Sequence, residues 1–148
     1  MTTSRTRSAP RITARDFHQL AQFRYQLRRF LRFSERAARG AGVTPLQHQL
    51  LLGVAGFTGR GSATISELSE CLQERHNAVV ALVHRAEAGG LVRKARSAAD
   101  RRVVDVVLTP RGRGVLLRLT RLHRQELAAF PHTAWPVPSP ARRAEAGR

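Results

Sequence analysis

The chain has a single cysteine, no long apolar run and few acidic residues, and each shortage narrows what it can be. Cys71 alone cannot close an internal disulfide or assemble a thiolate metal site, so nothing here calls for an oxidising compartment. No stretch approaches the roughly 20 apolar residues of a membrane span. Met1 to Pro10 is polar and lacks the apolar middle of a secretory signal, so a cytoplasmic protein without membrane contact is expected. An organelle transit peptide is also basic, but arginine is abundant throughout this chain, which removes the meaning of a local bias. No Gly-x-Ser-x-Gly elbow, phosphate loop or recognisable Cys–His pair occurs, so neither an enzyme nor a cofactor is expected. His, Glu and Cys show no clustering at zinc-ligand spacing.

What is plentiful is positive charge. Against 10 Asp and Glu stand 26 Lys and Arg, a formal charge of +16 spread along the chain rather than gathered in one tail. Such a balance points to a polyanionic partner. At 148 residues and 42% apolar content the chain suits one domain with one core.

The segment 1–12 has no apolar periodicity and is expected to be a disordered basic arm. Thr13 with Asp16 makes a helix start, followed at helical spacing by Phe17, Leu20, Phe23, Leu27 and Leu31, with a stop at Gly40. Arg24, Arg28, Arg32 and Arg36 step along this helix every four residues. The stripe fits contact with phosphate and fits a merely solvated face equally.

Thr44, Pro45 and Gln47 start a second helix, read as running to Phe57. The two glycines within Thr58 to Ser62 mark a turn. Thr64 and Glu67 cap a short third helix that buries Ile65, Leu68 and Leu72. A fourth, over Arg75 to Ala88, turns Val79, Leu82, Val83 and Ala86 inward and stops at Gly89 and Gly90. Helix, tight turn, helix is followed by two β-prone runs, Leu91 to Ala95 and Arg102 to Leu108, around a polar tip. Thr109 and Pro110 then start a last helix carrying Val115, Leu116, Leu119, Leu122 and Leu127, expected to stop before Pro131. Four prolines in 131–148 predict a disordered tail, with Trp135 unplaced.

This order, with Gly90-Leu91-Val92-Arg93-Lys94, Asp100-Arg101-Arg102 and Leu108-Thr109-Pro110-Arg111-Gly112, resembles the MarR family of bacterial transcription regulators over Thr13 to Phe130. The resemblance implies a mainly α winged helix-turn-helix with a small antiparallel β-hairpin wing and long flanking dimerisation helices. It implies a homodimer whose two recognition helices enter successive major grooves of a roughly palindromic operator in double-stranded DNA, about 34 Å apart. On the fourth helix the matching positions are Arg75, His76, Asn77, Ala81, His84 and Arg85. Arg suits guanine O6 and N7, Asn suits adenine N6 and N7, and a helix N-terminus favours phosphate. The family's Asp-x-Arg wing motif falls on Asp100 and Arg102. By resemblance Asp100 holds the wing tip through hydrogen bonds and Arg102 enters the minor groove, where narrowness concentrates negative potential. Arg93, Lys94, Arg96 and Arg101 are then phosphate or groove neighbours.

Two features depart from the family pattern. A further C-terminal helix usually helps to build the dimer, whereas residues 131–148 are too rich in proline for one. The first and last helices must then supply most of the apolar contact. Relatives that sense peroxide carry a cysteine near the start of the first helix, and Cys71 lies in the third, where a small apolar role suits it. A small aromatic or anionic effector is the ligand class implied by resemblance. His18, Arg24, His48 and His123 lie on elements able to line such a pocket, without spacing that assigns a site. The competing reading is a DNA-coating or architectural protein that binds any duplex through charge, set apart by its ratio of specific to non-specific affinity. In a third reading the Pro-rich tail and Trp135 recruit a protein partner.

Overall fold

The computed structural model describes residues 11–129. Apart from residues 11 and 12, the expected basic arm lies outside that range, as does the expected Pro-rich tail. Five α-helices and three short strands occur in the order α1 (Ala14–Gly40), α2 (Pro45–Leu52), β1 (Ser62–Ala63), α3 (Ile65–Leu72), α4 (His76–Ala88), β2 (Val92–Arg96), β3 (Val104–Leu108) and α5 (Pro110–Ala128). No described helix is long and apolar enough to cross a membrane.

Side-chain oxygens begin most of the helices. Thr44 accepts from the Gln47 N–H, Thr64 from the Glu67 N–H and Thr109 from the Gly112 N–H, each occupying a donor the helix leaves open. Before α1 the pairing runs the other way, with the Thr13 N–H and hydroxyl both donating to Asp16 Oδ2. Those bonds, the hydroxyl's first, hold the Asp16 carboxyl below its usual range.

Residues 53–57 differ from the single helix expected through Phe57. After Leu52 the backbone widens into a π-helical turn, Gly53–Phe57. A side chain at Gly53 would press on Cys71 Sγ and Leu68 Cδ2, so the turn seats closely on α3. β1 is a second addition to the expected hairpin. Ser62 and Ala63 pair antiparallel with Val107 and Val106 of β3, giving a three-stranded sheet in the order β1-β3-β2.

The core lies where α2, α3, α4, the inward face of α5 and the sheet meet. Leu50, Leu51, Leu68, Val79, Val83 and Val106 are fully buried there. Of the whole of α1 only Ala38 is buried. That helix packs chiefly on α2 and α5, through a cluster around His123. His123 Nδ1–H donates to the Leu119 carbonyl at 2.7 Å, and Nε2 meets Ser34 Oγ at 2.9 Å. Phe30 and Phe33 stand edge-on to the same ring, and the buried His48 ring lies 4.8 Å from it. Burial, and next to it the His123 charge, pushes the His48 pKa down.

Candidate nucleic-acid interface

The turn between α3 and α4 aims the site. α3 ends at Gln73, which takes the left-handed conformation (φ 53°) usually left to glycine. The Gln73 and Glu74 N–H groups close on the Glu70 and Ser69 carbonyls. Arg75 then stands in extended backbone as the residue before the helix, so α4 begins at His76 rather than at Arg75 as expected.

With Val79, Leu82, Val83 and Ala86 buried, α4 shows its other side to solvent. Arg75, His76, Asn77, Ala81, His84 and Arg85 are all exposed. The structure therefore presents a largely polar row along α4 and the residue before it, beginning where the unpaired N–H groups of the first turn add positive potential.

The wing stands beside this row. β2 and β3 pair from Val92↔Leu108 to Arg96↔Val104, so β2 is shifted one residue toward the tip from the expected run and β3 starts two residues farther from the tip than expected. At the tip, Asp100 Oδ1 accepts from the Arg102 N–H at 2.9 Å while the Asp100 carbonyl accepts from the Val103 N–H at 3.0 Å. One aspartate thus closes the loop from side chain and backbone, and the Arg101 and Arg102 side chains stay in solvent. Arg93, Lys94 and Arg96 are exposed on β2. Lys94 also reaches α4, with Nζ 3.4 Å from His84 Nε2 and 3.9 Å from Glu87.

Several positioning residues escaped the sequence reading. The Thr109 hydroxyl donates toward the Gly90 carbonyl at 2.6 Å and lies 3.1 Å from that of Leu91, tying the base of the wing to the start of α5. Gly112 comes so close to the Leu91 backbone that a methyl group would overlap its carbonyl. Glu67, read only as a cap, also takes both oxygens to the Arg60 guanidinium at 2.9 and 2.8 Å. That contact, the largest cause, lowers the Glu67 pKa, with the Thr64 N–H acting in the same direction. The Thr-Pro-Arg-Gly run was visible, but its tertiary partners were not.

The residues considered for a ligand do not form one site. His48 and His123 meet inside the α1–α2–α5 junction, whereas His18 and Arg24 are exposed on α1. A separate recess of about 380 Å³ lies between the end of α2, the π-helical turn and α3, lined by Gln49, Leu52, Phe57, Cys71 and Leu72 among others. Burial, and after it the Glu70 charge, pushes the Cys71 thiol pKa up, away from the thiolate that reacts. Among the described residues no group of three or more His, Cys, Asp or Glu could hold a metal ion.

Residues 41–103 match the family model described as MarR family. The HTH-type transcriptional repressor MdtR of Bacillus subtilis (strain 168) is 35% identical over 71 residues, 48% of this chain and 44% of that protein, so the likeness spans less than half of its length. Among solved structures, a MarR family protein from Bacillus stearothermophilus superposes with a TM-score of 0.69 at 22% identity, over 85% of this chain and 86% of that one. A MepR mutant of S. aureus bound to an oligodeoxyribonucleotide gives a TM-score of 0.61 at 18% identity, over 74% and 79% of the two chains. At these identities the structural likenesses establish the fold.

Proposed function

We propose that the chain is a MarR-family transcription regulator, on the match of residues 41–103 to that family's model and the likeness to MdtR, and that it is a sequence-specific, homodimeric DNA-binding repressor, responsive to a small ligand and acting in the cytoplasm. The observation that carries the reading is the pairing of two exposed surfaces. These are the α4 row from Arg75 to Arg85 and, beside it, a wing whose tip is closed by Asp100. In this reading Arg75, His76, Asn77, Ala81, His84 and Arg85 face the major groove. Arg102 enters the minor groove, and Arg93, Lys94, Arg96 and Arg101 meet phosphate. Asp100 acts through the loop it closes. The described part of the proposed single domain, 13–130, supplies both surfaces.

The homodimer is supported by apolar side chains that one protomer leaves in solvent on α1 and α5, among them Phe17, Leu20, Leu31, Leu117 and Leu127. For the effector we propose a small aromatic or anionic molecule, without assigning its site. Repression follows physically if the operator overlaps a promoter, because a bound dimer then excludes polymerase.

Fluorescence anisotropy of the full chain tests the reading, using DNA from upstream of its own gene and a shuffled duplex across a salt series. A preference of at least about 10³-fold at roughly 0.15 M salt is expected. Arg102→Ala should weaken binding and flatten its salt dependence, while Asn77→Ala should erode discrimination more than general affinity. Equal affinity for all duplexes, fading steeply with salt, would overturn the reading in favour of a DNA-coating protein.

A further inference from the structure

The arginine stripe of α1 has no part in the interface above. Arg24, Arg28, Arg32 and Arg36 are all exposed, and among the described residues none of their side chains forms a hydrogen bond or an ion pair. The two acidic groups of this helix are occupied elsewhere. Asp16 takes the Thr13 bonds, and Glu35 lies 4.0 Å from Arg39.

Helical geometry keeps the stripe distinct from the other two faces of α1. Gln26, Phe30, Phe33 and Ala37 are at least partly buried on the inward side. Leu20, Phe23, Leu27 and Leu31 make the apolar exposed side. A four-residue step advances about 40° round the helix. The stripe therefore leaves the apolar side at Arg24 and lies, by Arg28 and Arg32, across from the inward side. A dimer that covers the apolar side leaves it in solvent. From Arg24 to Arg36 it runs about 18 Å along the axis, the length over which one strand of a duplex offers about five phosphates.

Like charges four residues apart on a helix repel, and a face kept only for solubility is better served by mixed signs. Arginine is also the cation that meets phosphate through two parallel bonds. α1 packs chiefly on α2 and α5, and the stripe shares no residue with the α4 row or the wing, so a molecule on the stripe need not compete with the proposed operator.

We propose that this stripe is a second DNA-binding surface, through which a dimer already holding one duplex on α4 and the wing takes hold of another duplex segment by its phosphates. The proposal rests on the reading that α4 and the wing hold the first duplex.

The test uses the full chain, a bead-bound duplex of upstream sequence, and a second, fluorescent duplex added after washing. The wild-type protein should retain the second duplex. Replacing Arg24, Arg28, Arg32 and Arg36 together by Gln should lower retention tenfold or more while single-duplex anisotropy changes less than about threefold. The same four changed to Lys, which keep the charge, should restore most of it. Retention should fall with salt at a log–log slope of up to about −3.6 for four phosphate contacts. Retention unchanged in the Gln variant overturns the proposal, as does a wild type that stays on the beads without taking a second duplex. So does capture of phosphatidylserine vesicles in place of duplex. A wild type that never binds the beads overturns instead the reading of α4 and the wing.

Discussion

Gly112 and Leu91 meet so closely that the α5 start and the wing base have no room for a methyl group between them. Gly112→Ala should therefore force the Leu91 backbone aside and destabilise the fold by about 1–3 kcal/mol, the usual cost of overpacking. Urea unfolding measures this, and an unchanged midpoint would refute the close approach. His48 gives a second prediction, with a sign. Its pKa is depressed in the folded chain, foremost by burial and then by His123. As pH falls, the unfolded chain therefore takes up this proton first. The stability tied to neutral His48 is complete above about pH 6.5 and is lost as pH falls from there through the depressed folded value. Unfolding free energy should thus drop as pH falls below about 6.5 in the wild type, and drop less in His48→Leu. Equal drops in both would assign the proton uptake elsewhere.

At the scale of elements, the Asp100 carboxylate is one of the groups that close the wing tip, beside backbone bonds of Ser97 and Val103. Asp100→Ala removes the acceptor for the Arg102 N–H and frees the loop that carries the arginine. With unchanged helical circular dichroism, operator affinity should fall by about 1 kcal/mol, roughly fivefold in Kd. A Kd within experimental scatter of the wild type would mean that the tip does not need this bond. The wing and the helices were legible in the sequence because their signals are local. Thr44, Thr64 and Thr109 each stand before a residue whose N–H they occupy, and Val79, Leu82, Val83 and Ala86 repeat at helical spacing. β1 was not legible. A two-residue strand has no periodicity of its own, and Ser62 and Ala63 become a strand only by finding Val107 and Val106 more than 40 residues on. The π-helical turn at Gly53–Phe57 is likewise set by how Gly53 seats against Cys71 and Leu68. The proposed contact residues were legible as a row and a motif. Gln73, Thr109 and Gly112, which aim them, act through backbone that folding brings together.

At the scale of the whole molecule the apolar surface is unevenly placed. Phe17 is 68% exposed, Leu20 47%, Leu31 50% and Leu127 48%, all on α1 or α5, while the core lies with α2, α3, α4, the sheet and the inward face of α5. A soluble monomer rarely leaves so much contiguous apolar surface in water. The proposed two-fold dimer through α1 and α5 would bury it, and symmetry would make each residue count twice. Burying one leucine is worth about 1.5–3 kcal/mol, so Leu27→Glu should weaken dimerisation by roughly 3–6 kcal/mol, about 10²- to 10⁴-fold in Kd. Sedimentation equilibrium should then show the 16.4 kDa monomer at concentrations where the wild type has twice that mass. Because Leu27 is exposed in the single protomer, helix content should not change. Operator affinity should fall with the dimer, since the second half-site is no longer held at high effective concentration by the first. A Leu27→Glu chain that stays dimeric would move the interface off this face of α1, and one that is monomeric yet keeps wild-type operator affinity would separate DNA binding from dimerisation.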